Sequence, residues 1–105
     1  MNEMDRHYRP AKLPDALQGS WNDTETGNKE LLIEGFDVSY RGVAVRHEWF
    51  ELKEIDGALC VDLGVDDAAL EDQFQRENLS HLVIDPDGHL HGYNSKFAVQ
   101  FARAS

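Results

Sequence analysis

The sequence is punctuated by two-residue turn signals at the spacing of β-hairpins, and this rhythm excludes most folds. Asp56-Gly57 is the plainest of them. A type I′ turn needs positive φ at both central residues, a conformation that Asp tolerates and Gly adopts freely. The flanking runs alternate with a period of two, so that on the returning side Leu59, Val61 and Leu63 share one face. Arg41-Gly42 permits a second tight reversal, and Asp85-Pro86-Asp87-Gly88 a third, with Pro presetting the first turn angle and Gly supplying the left-handed residue.

Between these marks lie short extended runs. Leu31 and Ile33 alternate with Glu30 and Glu34, and Val38 and Tyr40 alternate with Asp37, Ser39 and Arg41. In the long run from Val43 to Ile55, Val43, Val45 and Trp49 share one face, whereas Phe50 and Leu52 share the other. That change of parity predicts a bulge or a bend. The closing run places Phe97, Val99 and Phe101 together. One stretch, from Asp66 to Asn78, breaks the two-residue rhythm: Asp66 or Asp67 can cap an N-terminus, and Ala69, Leu70, Gln73 and Phe74 follow helical spacing.

A chain of 105 residues suits a single core. Residues 1–12 are polar and carry both charge signs, so they read as a loosely ordered tail, with one β-barrel domain over 13–105. Within it, Leu13-Pro14-Asp15-Ala16-Leu17 suits a single helical or 3₁₀ turn. About seven or eight short strands joined as neighbouring hairpins must hide their edges, and an up-and-down barrel does so by closing on itself. The expected fold is therefore mainly β, a small antiparallel barrel with one short helix.

Gly19-Ser20-Trp21, preceded by the Leu13–Leu17 turn and balanced by Arg103 at the end of the final strand, resembles the pattern of the calycin superfamily. That superfamily includes lipocalins, fatty-acid-binding proteins, avidins and small bacterial metalloprotease inhibitors. The resemblance implies a lipocalin-like barrel in which Trp21 plugs one end, Gly19 lets another backbone approach, and Arg103 stacks on the indole while bonding carbonyls of the short turn. In that reading Gly19, Trp21 and Arg103 are structural. The chain departs from the pattern in being shorter than most lipocalins and in carrying its helix late in the strand series. The small inhibitors, closest in length, are exported and disulfide-bonded, whereas Cys60 is the only cysteine here.

The formal charge is −10, from 20 acidic and 10 basic residues. Such a field repels phosphate backbones and anionic lipid surfaces and attracts a basic protein. No run approaches the roughly 18–20 apolar residues of a membrane span, and the N-terminus lacks a secretory pattern. Neither a nucleic acid nor a membrane is the expected partner, and the cytoplasm is the expected location. The densest acidic group is Asp62, Asp66, Asp67, Glu71 and Asp72, the expected docking region for a basic partner.

No assembled chemistry stands out. His89 and His91 share a strand face near His81 and Asp87, but a zinc site needs three or four converging ligands. His47 lies close in sequence to Glu48 and Glu51, with nothing in the spacing to fix their geometry. Cys60 has no sequence neighbour that would lower its pKa. No Gly-rich phosphate loop or nucleophile elbow is present. The expectation is a non-catalytic module without cofactor or metal, an inhibitor or immunity-type antagonist of a basic partner. The alternative is a binder of small hydrophobic ligands that uses the barrel interior, with Tyr40, His47 and Trp49 facing the ligand. The oligomeric state is open, a homodimer included.

Overall fold

The computed structural model describes residues 12–104, with the side chains of all but Ala68, Gln75 and Glu77. The tail expected over 1–12 thus lies, apart from Lys12, outside the described residues. A 3₁₀ turn at Asp15–Leu17 leads into β1 (Gly19–Asp23), β2 (Lys29–Glu34), β3 (Asp37–Tyr40) and β4 (Val43–Val45). Then follow β5 (Trp49–Ile55), β6 (Ala58–Gly64), the helix α1 (Ala68–Glu77), β7 (His81–Ile84), β8 (Leu90–Tyr93) and β9 (Ala98–Arg103).

All nine strands form one antiparallel sheet in the order β4-β3-β2-β1-β9-β8-β7-β6-β5. Every neighbouring pair but one is consecutive in the chain. The exception is β1 with β9, where Trp21 faces Arg103 across the ladder and the two ends of the domain meet. The sheet curls into a half-barrel whose outer strands are β4 and β5, joined by residues 46–48 alone.

The architecture is the expected mainly-β, up-and-down one with a single short helix, and the strand count rises to nine for one reason. The run from Val43 to Ile55 is two strands. The parity change read from the sequence is the break between them: Val45 and Phe50 are both buried, although five residues apart, because the chain leaves one edge and re-enters at the other.

The turns follow their residues. Arg41 and Gly42 have φ of 55° and 81°, and Asp56 and Gly57 have 52° and 85°, the positive pair that joins strands in two residues. Helix α1 starts where Asp67 accepts a hydrogen bond from the Ala69 N–H at 2.9 Å. Of its described side chains only Phe74 is buried; Leu70 stays exposed. The core inside the curl holds Trp21, Leu31, Ile33, Phe50, Val61, Leu82, Leu90 and Phe101, with Leu13 and Leu17 from the 3₁₀ turn. These side chains fill the middle of the barrel, so any cavity must lie toward a rim.

Candidate functional site

The apolar face of β3 and β4 runs past the core. Tyr40, the last residue of β3, points inward and meets Phe101 edge-on at 6.0 Å and Phe97 in parallel at 6.3 Å between ring centres. Next along the same face stands Val43, which is 65% exposed, and facing it Phe97 is 38% exposed. Both are large apolar side chains at positions where alternation points them inward, yet neither is fully covered.

The space between them is a cleft of about 460 Å³. One wall is Tyr40, Val43 and Val45; the other is Phe97, just before β9, and Val99 within it, with Asn78 and Leu79 from the segment after α1. Leu79 is fully buried, and its neighbour Asn78 is fixed by Asn94, whose Nδ2–H donates to the Asn78 carbonyl at 2.7 Å. A volume of this size falls within the range of small-molecule sites, which are mostly apolar with a few polar groups.

Polar character comes from Arg41, Tyr40 and Asn78. The Arg41 Nε–H donates to Glu30 Oε1 at 3.0 Å, and its guanidinium lies 5.2 Å from the centre of the Tyr40 ring. Burial, more than any neighbouring charge, pushes the Tyr40 hydroxyl above its ordinary pKa, with Arg41 opposing and Glu30 and Asp23 reinforcing. At neutral pH the rim therefore offers a phenol O–H, a guanidinium and an amide, all able to donate to an acceptor on a bound molecule.

Of the three residues expected to face a ligand, Tyr40 lines the cleft. His47 and Trp49 do not. His47 is buried between β4 and β5, and the Trp49 indole lies over Gly64, where a Cβ would fall well inside van der Waals contact with the ring. Gly19, Trp21 and Arg103 meet where β1 pairs with β9. The Arg103 guanidinium lies 4.2 Å from the centre of the Trp21 ring and the Trp21 Nε1–H donates to the Leu17 carbonyl at 2.9 Å. What comes close to Gly19 is the side chain of Arg103: its Nη1 lies 3.0 Å from where a Cβ would sit.

The acidic group is spread over three kinds of local duty. Asp62 Oδ1 lies 2.7 Å from His81 Nδ1, Asp67 caps α1, and Asp72 pairs with Arg76 at 2.9 Å. Asp66 and Glu71 are exposed beside them. The histidines are likewise divided: His91 Nε2 lies 3.0 Å from Asp85 Oδ2, while His81 stacks on Tyr93 at 4.9 Å. Among the described residues no group of three or more His, Cys, Asp or Glu side chains converges on one point. Glu48 uses Oε1 to accept from the Asp66 N–H at 2.7 Å, and Glu51 stands opposite Asp62 in the ladder. Cys60 is half-buried with Lys53 across from it, a neighbour that only strand pairing brings near.

Sequence reasoning placed Phe97 and Val99 on the inward face but gave no reason to single them out, or Val43, Leu79 and Arg41. The available signal is a surplus of inward apolar residues beside the Arg41-Gly42 turn and at the start of the closing run. Neither a family model, nor a curated protein, nor a solved structure matches the chain.

Proposed function

We propose that this domain is a non-catalytic binding protein that holds a small apolar molecule in the rim cleft between Tyr40, Val43, Phe97 and Val99. The observation that carries the reading is the exposure of Val43 and Phe97 on opposite walls of one preformed cleft of about 460 Å³. Apolar side chains left bare at such a point lose the free energy of burial, roughly 1.5–3 kcal/mol for each fully covered residue, and a ligand would restore much of it. Arg41, Tyr40 and Asn78 at the edge would orient an acceptor group and leave the apolar body inside.

The test is displacement of an environment-sensitive naphthalene probe by a panel of fatty acids, retinoids and haem, with the full chain and with Phe97→Glu. One-to-one saturable binding by at least one class, weakened in the variant, supports the reading; no binding by the probe or any member of the panel removes it.

A second reading, a basic protein docked on the α1 side, draws on the net charge of −10 and on the exposed Asp66, Glu71 and Asp72 there. Its support is weaker because Asp62, Asp67 and Asp72 have partners within the domain. A salt-sensitive complex that survives Phe97→Glu and fails with Glu71→Lys would favour it over the cleft.

A further inference from the structure

The open side of the half-barrel is bridged by Arg46, His47 and Glu48, and the last two grip opposite edges. The Glu48 N–H donates to the Gly64 carbonyl at 2.7 Å, and its carboxylate accepts from Asp66, so this residue belongs to the β6 side. The His47 N–H donates to the Val45 carbonyl at 3.0 Å, and Nδ1 lies 3.2 Å from the same oxygen. Its ring centre is 4.2 Å from that of Phe36, in the turn between β2 and β3. His47 thus ties the link to the β4 side.

The imidazole is only 7% exposed, and its Nε2 is buried with no hydrogen-bond partner. With Nδ1–H donating to Val45, Nε2 is an unused acceptor in an apolar place. Adding a proton there creates a buried charge and a donor with no acceptor in reach, and an unmet buried donor is costly. The charged groups around it are Glu34 at the end of β2, Asp37 on β3 and Arg46, which line one groove with His47, and Glu48, which is turned toward Asp66. The hydrogen bond to the Val45 carbonyl and, after it, Asp37 favour the imidazolium, and burial opposes them more strongly.

We infer that His47 is an acid-sensitive latch on the open side of the barrel: its protonation drives the ring out from between Val45 and Phe36, frees β4, and withdraws the Val45 wall of the cleft. The first two steps stand on the geometry of the link. The last, loss of the cleft's hold on an apolar molecule, rests on the function proposed above.

The experiment is amide hydrogen exchange on the full chain at about pH 7.5 and pH 5, corrected for intrinsic rates, with the naphthalene probe titrated at both values. Protection over residues 43–48 should fall about tenfold or more on acidification, while β8 and β9 hold theirs. His47→Phe should abolish the difference. Unchanged protection in the wild type, or an equal fall in the variant, overturns the latch. Should His47→Phe not fold, NMR titration of the wild-type imidazole decides: a midpoint below 6.5 supports the latch, and one at or above 6.5 overturns it. Opening without probe binding at either pH keeps the latch and removes the cleft reading. Probe binding with protection that ignores pH does the reverse.

Discussion

Arg103 closes the domain onto Trp21: its guanidinium covers the indole at 4.2 Å while Nη1 and Nη2 donate to the Gln18 and Ala16 carbonyls at 2.5 and 2.8 Å. One side chain therefore joins the last strand, the first strand and the 3₁₀ turn. Trp21 is fully buried, so Trp21→Ala should cost roughly 3–5 kcal/mol in chemical denaturation as a large core deletion. Arg103→Lys keeps the charge but loses the planar fork and should cost about 1–3 kcal/mol, the scale of hydrogen bonds to a charged group. A loss under about 0.5 kcal/mol in either variant would mean that the ends are not held this way.

Gly64 and Trp49 face each other across the β5–β6 ladder, and the indole occupies the place of the missing side chain. Gly64→Ala should destabilise by about 1–3 kcal/mol through overpacking. Trp49→Ala should relieve most of that penalty, so a double-mutant cycle should give a coupling of about 1 kcal/mol or more. Additive effects would place the indole elsewhere.

How far the sequence reaches is visible at particular residues. Asp56-Gly57, Arg41-Gly42 and the Asp67 cap act through their own backbones, so their turns and the helix start could be read directly. The alternation of Leu31 with Ile33 and of Phe97 with Phe101 likewise gave the inward face. The break at residues 46–48 was visible only as a parity change, since a bulge within one strand and a jump between two edges leave the same pattern. The cleft could not be read at all. Inward alternation says which way Val43 and Phe97 point, but whether a wall stands opposite depends on how far the whole sheet curls. Nothing local to Gly64 marks its contact, because its partner Trp49 is fifteen positions away in the chain.

Depressed carboxylates and a depressed histidine should give acid sensitivity in separate windows. Asp85 is held below its ordinary 3.8, first by the hydrogen bond from His91 and then by the His89 and Asp87 backbone. A depressed carboxylate contributes stability that is present above its unfolded value and lost as pH falls through the folded one, so its effect is confined to strong acid. His47 is depressed from 6.5 by burial, and a depressed histidine contributes stability that is full above 6.5 and declines as pH falls toward the folded value. Thermal melting against pH should show both limbs. Asp15 is depressed in the same way by Lys12, so Asp85→Asn should shrink the limb below about pH 4 and leave the one beginning near 6.5, and limbs unaffected by that change would contradict the assignment.

Exposed and buried positions of the cleft should separate stability from binding. Val43→Glu lies on the open wall and should change stability by no more than about 0.5 kcal/mol while weakening probe affinity tenfold or more. Leu79→Ala, at a fully buried position, should cost about 2–5 kcal/mol. Unfolding titrations paired with probe titrations on the same samples check both.

The most direct measurement is an amide-resolved ¹H–¹⁵N NMR titration of the full chain with the tightest-binding member of the apolar panel. The account predicts saturable shifts at Tyr40, Val43, Val45, Leu79, Phe97 and Val99, with the amides of α1 unmoved. Shifts centred on α1, or none at saturating ligand, would contradict it.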